Sequence, residues 1–226
     1  MNRTIKVTGK SSIKVSPDYT RISIQMSDVL SEYDKCLQKS VEDLNVIVEC
    51  IKEFGFERKE LKTSGFEIIR KTEPYRDNYD DLKYRFIGYQ YKQNLNFFFK
   101  NDNKRLGKIL YALSHLSVVP EINISYFYSD VETIKNKLLS LAIKDAKQKA
   151  KILTEEAGIQ LCEILDIDYS WINVEFETNN INFCKSYALE DCSMSKAYEV
   201  DFEPDDIYTN DSVRITFRID YEVEKC

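Results

Sequence analysis

Glycine and histidine are scarce in this chain, which contains six glycines and one histidine among 226 residues. A dinucleotide-binding fingerprint and a phosphate-binding loop both need closely spaced glycines, so the sequence excludes these functions. A zinc site with two histidines from one chain is excluded as well. Gly9-Lys10-Ser11 resembles the end of a phosphate-binding loop, but Thr4 stands where that motif requires another glycine. We interpret this segment as a turn.

Excess positive charge and long apolar runs are also missing. The chain has 32 Lys and Arg against 38 Asp and Glu, and its formal net charge is −6. Because nucleic-acid binding needs clustered basic residues, we expect no nucleic-acid partner. No apolar run is long enough for a membrane-spanning helix, and no apolar leader follows Met1. The sequence as given predicts a cytoplasmic protein, or an envelope or secreted protein if a leader was removed.

The residue types that usually carry chemistry form no recognisable site. The six cysteines lack CxxC spacing, and we expect them to be mostly reduced. His115 follows the apolar positions of a short helix, and we interpret it as a residue at the helix end. The acidic stretch from Asp201 to Asp211 lacks the glycine and glutamate of a calcium-binding loop, so we expect a solvated acidic loop. The sequence therefore predicts no catalytic residue, no metal and no cofactor.

Apolar periodicity divides the chain into strands and helices. Their order, with strands in pairs between helices, predicts an α+β fold in which long amphipathic helices pack on one face of a largely antiparallel twisted sheet. We expect one domain over residues 1–226, with an exposed loop at 72–81 and a long acidic loop or excursion at about 170–210. The predicted strands cover 5–15, 22–26, 66–68, 84–99, 122–128, 162–169 and 213–223, and the predicted helices 31–55, 106–113 and 129–158.

The two long helices carry different apolar stripes. In the first helix, large residues recur at helical spacing from Leu37 through Val41 to Ile51, and Ser31 with Asp34 resembles a capping arrangement. In the last helix, Ser129 and Glu132 have the spacing of a capping box. Its central turns present small residues, which allow a helix to approach its partner closely. These are Ala142, Ala146 and Ala150.

Aromatic residues are abundant, with 15 Tyr and 12 Phe, and two runs place them on both faces of a strand. A sheet that is aromatic on both faces needs a cover on both, by helices on one side and by another subunit or the 170–210 excursion on the other. We therefore predict a homo-oligomer. The candidate assembly surface consists of Phe97, Phe98, Phe99, Tyr126, Phe127 and Tyr128.

Gly9, the pair Pro17-Asp18 and the pair Gly88-Tyr89 belong to a series of short motifs along nearly the whole chain. The order of these motifs resembles the SIMPL-domain family. The resemblance implies an α+β fold whose members can assemble into oligomers, bacterial relatives that are mostly exported to the cell envelope, and in some of them a link to oxidative stress. The eukaryotic namesake binds a Pelle-like kinase. The family supplies no agreed catalytic residue. The residues that carry the resemblance are Gly9, Pro17, Asp18, Gly88 and Tyr89, to which we assign a structural role.

We therefore expect a non-enzymatic, self-associating scaffold or binding module that takes part in a stress response and has a protein partner. The alternative is an enzyme or binding protein for small molecules. That alternative needs a concave pocket with convergent polar groups and an ionisable residue of shifted pKa.

Overall fold

The computed structural model describes residues 3–170, 177–178, 181–183 and 202–221. In these residues the strands are β1 (Thr4–Val15), β2 (Tyr19–Leu30), β3 (Lys62–Arg76), β4 (Leu82–Lys100), β5 (Glu121–Phe127), β6 (Ile159–Asp168), β7 (Ile181–Phe183) and β8 (Ile207–Tyr221). The helices are α1 (Tyr33–Lys52), α2 (Asn103–Ser114) and α3 (Val131–Glu156). All strand pairs are antiparallel, and the predicted α+β fold is confirmed.

The strands form two sheets, where the sequence analysis expected one. One sheet has the order β1-β8-β6 and the other the order β3-β4-β2-β5-β7. The chain likewise divides into two compact units. Unit 1 contains Met1–Pro17, Tyr128–Thr178 and Asp205–Cys226, and unit 2 contains Asp18–Phe127 and Asn179–Pro204. That both belong to one domain over 1–226 stays a prediction.

Unit 1 is built on direct backbone contact between α3 and β1. A Cβ atom added to Gly9 would lie 2.0 Å from the Ala142 carbonyl oxygen and 2.7 Å from the Ala146 nitrogen. Gly9 lies inside β1, opposite Val213, so its interpretation as a turn is wrong. The expected close approach of the alanine face is confirmed, because Ala142, Ala146 and Ala150 are fully buried against the sheet.

Polar side chains of α3 also bond to the backbone of β1. The Lys10 backbone N–H donates to Asp145 over 2.7 Å, and the Lys149 ammonium lies 2.6 Å from the same carboxylate oxygen. The Lys149 ammonium also reaches the Thr8 carbonyl oxygen at 3.5 Å. Because β1 is an edge strand, these contacts satisfy backbone groups that would otherwise have no strand partner.

Unit 2 places α1 and α2 on one face of the five-stranded sheet. Its core combines apolar residues of β2, β4 and β5 with the buried sides of both helices. Helices on one face of an antiparallel sheet were predicted. The fully buried side chains include Ile22, Ile24, Met26, Ile47, Ile51, Leu95, Leu106 and Ile109.

The β3–β4 hairpin is longer than the sequence predicted. Residues 72–76, expected in an exposed loop, extend β3, and the turn comprises only 77–81. Pro74 pairs with Tyr84 within the hairpin. A proline fits there because β3 is an edge strand, where a missing N–H leaves no ladder bond unmade. Periodicity alone did not reveal this, since Pro and several Asp residues are typical of loops.

Helix starts and the late loop also differ in detail from the predictions. Neither predicted capping pair is the cap: Glu32 precedes α1 without a capping side-chain bond, and Asp130 caps α3 by accepting from the Thr133 N–H. Most of the predicted 170–210 loop lies outside the described residues. Within them, β7 occupies 181–183 and β8 begins at Ile207.

Candidate functional site

Pro17 and Asp18 form the link between β1 and β2. The Asp18 N–H donates to the Phe127 carbonyl over 3.1 Å, and the Asp18 carbonyl accepts from the Asn101 N–H over 3.0 Å. These bonds join the start of β2 to the end of β5 and to the residue after β4. The backbone of Asp18 thus connects β2 with the ends of β4 and β5 at one end of the five-stranded sheet.

Gly88 and Tyr89 lie where β4 passes the end of β2. Gly88 has a φ of +149°, and a Cβ there would lie 2.3 Å from the Leu30 carbonyl oxygen. The pairing of β3 with β4 shifts at this point, between Lys71 and Thr72. A side chain would therefore meet both backbone strain and the adjacent strand. Tyr89 is half-buried, and its ring meets Tyr33 of α1 at 5.6 Å and 90°.

The predicted assembly residues separate onto different surfaces. Phe97, Phe99 and Tyr126 are buried on the helix-covered face. Phe98 and Phe127 lie on the opposite face, where their ring centroids are 5.8 Å apart. Tyr128 belongs to unit 1 and packs beside Val15, Ile134 and Leu138. The structure therefore brings two of the six predicted residues together on an accessible surface.

Tyr19 completes this aromatic group, although the sequence analysis did not single it out. Its ring lies 6.0 Å from Phe98 and 5.5 Å from Phe127. The Arg21 guanidinium lies 4.9 Å from the Phe127 ring centroid. The alternation of β2 would have placed Tyr19 on this face, but only the pairing of β2 with both β4 and β5 makes the three rings neighbours. We call Tyr19, Phe98 and Phe127 the sheet cluster.

A second apolar surface lies on α1, because the first half of this helix does not turn its predicted apolar stripe toward the core. The predicted stripe is buried at Val48 and Ile51 but exposed at Leu37 and Val41. In the first half of α1 the residues that face the core are instead Cys36, Ser40 and Asp43. The apolar side of this half, together with Tyr33, is left without a cover in the described residues.

Asp43 explains why the first half of α1 turns the side that carries this residue toward the core. It is buried, accepts a hydrogen bond from the Tyr91 hydroxyl, and lies 2.8 Å from the Lys39 ammonium. Burial and then the Asp43 carboxylate raise the pKa of Tyr91 well above its ordinary range, so the phenol stays a donor. A buried carboxylate with two donors is stable, whereas one without them is costly. The bonds therefore hold Asp43 inward and turn Leu37 and Val41 outward.

The distal β3–β4 hairpin, residues 70–87, which we call the arm, also has an uncovered apolar face. Pro74 and Tyr84 are paired, and Thr72 pairs with Phe86, so these side chains share one face with Leu82. The other face carries two ion pairs, Glu73 with Arg85 and Asp77 with Lys83. Most charges of the arm thus lie on one face, which also carries Tyr75, the partner of Lys83.

The two uncovered surfaces are continuous through Tyr89. Its ring contacts Tyr33 of α1 on one side and Phe86 of the arm, at 5.3 Å, on the other. The apolar face of the arm therefore lies on the same side of the sheet as α1. We call the combined area the α1–arm surface. Its members and their exposed fractions are Tyr33 49%, Leu37 41%, Val41 51%, Leu82 60%, Tyr84 66% and Phe86 44%.

A groove of about 570 Å³ between α1 and α2 is relevant to the small-molecule alternative. Glu49, Cys50, Glu53 and His115 contribute to its lining. Burial raises the pKa of the Cys50 thiol, which makes it a weak nucleophile at neutral pH. His115 is the C-terminal cap residue of α2, with its Nδ1 atom 2.8 Å from the Tyr111 carbonyl oxygen, so its predicted place at a helix end is confirmed.

Two acidic residues of the predicted loop from Asp201 to Asp211 form hydrogen bonds or ion pairs that a solvated loop would not require. Asp206 pairs with Lys14 at 2.6 Å and accepts from the Ser16 hydroxyl. Asp211 is buried and accepts from the Tyr169 hydroxyl over 2.9 Å. Glu203 is exposed, as expected. Asp201 lies outside the described residues, and in the part that the structure describes no three His, Cys, Asp or Glu residues are arranged to hold a metal ion.

Comparisons with known proteins find one family model and two similar proteins. A family model described as "SIMPL: Protein of unknown function (DUF541)" matches residues 5–217. The 26 kDa periplasmic immunogenic proteins of Brucella abortus (strain S19) and Brucella melitensis biotype 1 are each 24% identical over 164 residues, which is 72% of this chain. The matched region spans 65% of the length of these relatives. None of the helices in the described residues has the length and apolarity needed to span a membrane.

Proposed function

Because the chain belongs to the SIMPL family of proteins of unknown function, we propose that it is a non-enzymatic, self-associating binding module or scaffold. The observation that carries this proposal is the amount of large apolar side chain left exposed on unit 2, on the α1–arm surface and at Phe98 of the sheet cluster. The largest contiguous apolar patch on a soluble protein often marks an interaction site.

The mass of the full chain in solution tests this proposal. We expect sedimentation equilibrium at micromolar concentration to give a multiple of the chain mass, and dilution to shift it toward one chain. The association should persist in high salt, because apolar contacts are not screened. A single chain mass across the whole concentration series contradicts the proposal.

The groove between α1 and α2 supports the alternative, a binding protein or enzyme for small molecules. Its volume lies within the range of ordinary ligand pockets. His115, the single histidine of the chain, lines the groove and is a built-in reporter, since a molecule that fills the groove changes the NMR signals of its ring. A saturable change of these signals at low concentration of a small molecule, combined with a monomeric chain, favours the alternative over the scaffold.

The cell envelope is the location that the relatives support. Both are named as periplasmic proteins, which agrees with the envelope alternative predicted from the sequence. Fractionation of the producing cells tests this location against the cytoplasmic prediction. A role in stress response rests on the family resemblance alone, and its test is whether the protein becomes more abundant after exposure to an oxidant.

A further inference from the structure

We propose that the α1–arm surface is the face on which a second copy of this chain docks, with the arm of each copy lying across α1 of the other. This inference rests on the self-association proposed above and names its interface. It excludes the sheet cluster, the other exposed aromatic group of unit 2, from that interface.

The apolar face of the arm is exposed in the part of unit 2 that the structure describes. β2 ends at Leu30, which pairs with Tyr89, so no third strand among the described residues lies beside residues 70–87. An isolated two-stranded ribbon is marginally stable in water unless a helix or further strand covers its apolar face. Leu82, Tyr84 and Phe86 supply that face and remain exposed.

The first half of α1 offers the matching cover. Tyr33, Leu37 and Val41 recur at intervals of four residues and form one exposed apolar stripe. A helix packed on a sheet is the ordinary way in which both elements bury their apolar sides. Because one chain carries both the ribbon and the helix, two copies related by a two-fold axis satisfy both at once.

The exposed area is sufficient for the core of such an interface. Aromatic side chains bury about 150–250 Å² each, so the three aromatic members at roughly half exposure present on the order of 300 Å², and Leu37, Val41 and Leu82 add to this area. A stable interface buries roughly 800 Å² on each partner, including its polar rim. The α1–arm surface therefore supplies most of the area that a dimer requires.

Charged residues of both signs surround the two halves. On α1, Asp34 is exposed beside Leu37, and Lys35 pairs with Glu32. On the arm, Arg76 pairs with Asp80 at 2.9 Å, and the Arg70 guanidinium lies 5.1 Å from the Phe86 ring centroid. Asp34 and Arg70 are therefore the opposite charges that can meet across a crossed dimer and help to fix its register.

The first experiment compares matched substitutions of exposed residues in the full chain. We expect Tyr84→Ser and Val41→Ser each to raise the dissociation constant of the dimer at least about tenfold, as loss of an interface anchor does. Phe98→Ser, in the sheet cluster, and Tyr208→Ser, on unit 1, remove exposed aromatics of similar size and should leave the constant unchanged. Circular dichroism and thermal unfolding confirm that each variant folds.

The second experiment identifies the contact directly. Tyr84 is replaced by the photo-reactive benzoylphenylalanine, and light chains are mixed in equal amounts with ¹⁵N-labelled chains. After irradiation, mass spectrometry should find cross-links between light and heavy chains from position 84 to the segment 33–41.

The outcomes separate this inference from the proposed function. A monomer at all concentrations contradicts both. If the protein is an oligomer that is dissociated by Phe98→Ser but not by Tyr84→Ser, the proposed function stands and the α1–arm interface is wrong. Cross-links that join only residues of the same chain also overturn it.

Discussion

At Gly9, a single hydrogen in place of a side chain decides how closely α3 approaches β1. The positions that a Cβ would occupy are already filled by the backbone of Ala142 and Ala146. Backbone atoms cannot move aside without moving the helix, so even the smallest side chain disturbs the unit 1 core. Gly65 differs, because a Cβ there would meet only the Asn94 side chain at 3.4 Å.

We predict that Gly9→Ala lowers the free energy of unfolding by about 3 kcal/mol, in the range of overpacked cores. Gly65→Ala, the matched control, should change it by less than about 1 kcal/mol. Urea unfolding of both variants measures the difference. Equal losses for the two substitutions contradict the direct backbone contact.

Tyr169 predicts a pH dependence at the alkaline end. Burial and the hydrogen bond to Asp211 raise its pKa from 10.0 to about 12. A raised pKa in the folded state means that the folded protein holds this proton more tightly than the unfolded chain does. The stability that Tyr169 contributes is therefore complete below pH 10 and is lost as the pH rises through 12.

We expect the free energy of unfolding to fall less between pH 10 and pH 12 in Tyr169→Phe than in the unmodified chain. Tyr208→Phe, which changes an exposed tyrosine of the same unit, is the control. Denaturant unfolding at a series of alkaline pH values measures this. The same fall in all three proteins contradicts the prediction.

At the scale of elements, α3 begins with a different cap from the predicted one. The capping box expected from Ser129 and Glu132 does not start the helix. The structure uses Asp130, whose carboxylate accepts from the Thr133 N–H over 3.1 Å. The hydrogen bonds of Thr133 lower the pKa of Asp130, as expected for a carboxylate that accepts at a helix start.

We predict that Asp130→Ala lowers the melting temperature of the protein through loss of this cap. Glu132→Gln, which removes the charge at the position predicted for a capping box, should have a smaller effect than about 0.5 kcal/mol. Thermal unfolding of the two variants gives the comparison. A larger effect of Glu132→Gln than of Asp130→Ala contradicts the Asp130 cap and supports the predicted capping box.

The elements of unit 2 differ in how fully they are covered. The second half of α1 and the proximal part of β4 pack into the core, whereas the first half of α1 and the arm keep apolar faces outside. Hydrophobic periodicity is the same in both halves of α1 and does not distinguish them. The buried Asp43, bound by Tyr91 and Lys39, breaks the pattern and turns the stripe.

At the scale of the whole molecule, the two compact units raise the question whether both unfold in one cooperative transition. The sequence predicts a single domain over 1–226, and a single domain unfolds as one unit. If this holds, a substitution confined to unit 1 should destabilise both units.

We predict that Gly9→Ala accelerates amide hydrogen exchange in the slowest-exchanging residues of β2 and β4 as well as in those of β1 and β8. Exchange measured by mass spectrometry on the full chain tests this, with Gly65→Ala as the control. Acceleration limited to β1, β8 and α3 shows two independently unfolding units and contradicts the single domain.

The sequence by itself determined the α+β class, the order of most elements and the alanine face of α3. These features follow from local periodicity, since an alternating or helical pattern is written in neighbouring residues. The same holds for Phe97, Phe98 and Phe99, whose alternation already assigns Phe98 to the face opposite its neighbours.

Only the tertiary structure decided the division into two sheets, the strand role of Gly9, the length of the arm and the exposure of Leu37 and Val41. Each depends on groups that are distant in the chain: β1 pairs with β8, and Asp43 meets Tyr91. The few glycines show this most clearly. Their scarcity excluded functions from the start, but the need for a glycine at position 9 arises from a helix more than a hundred residues later in the chain.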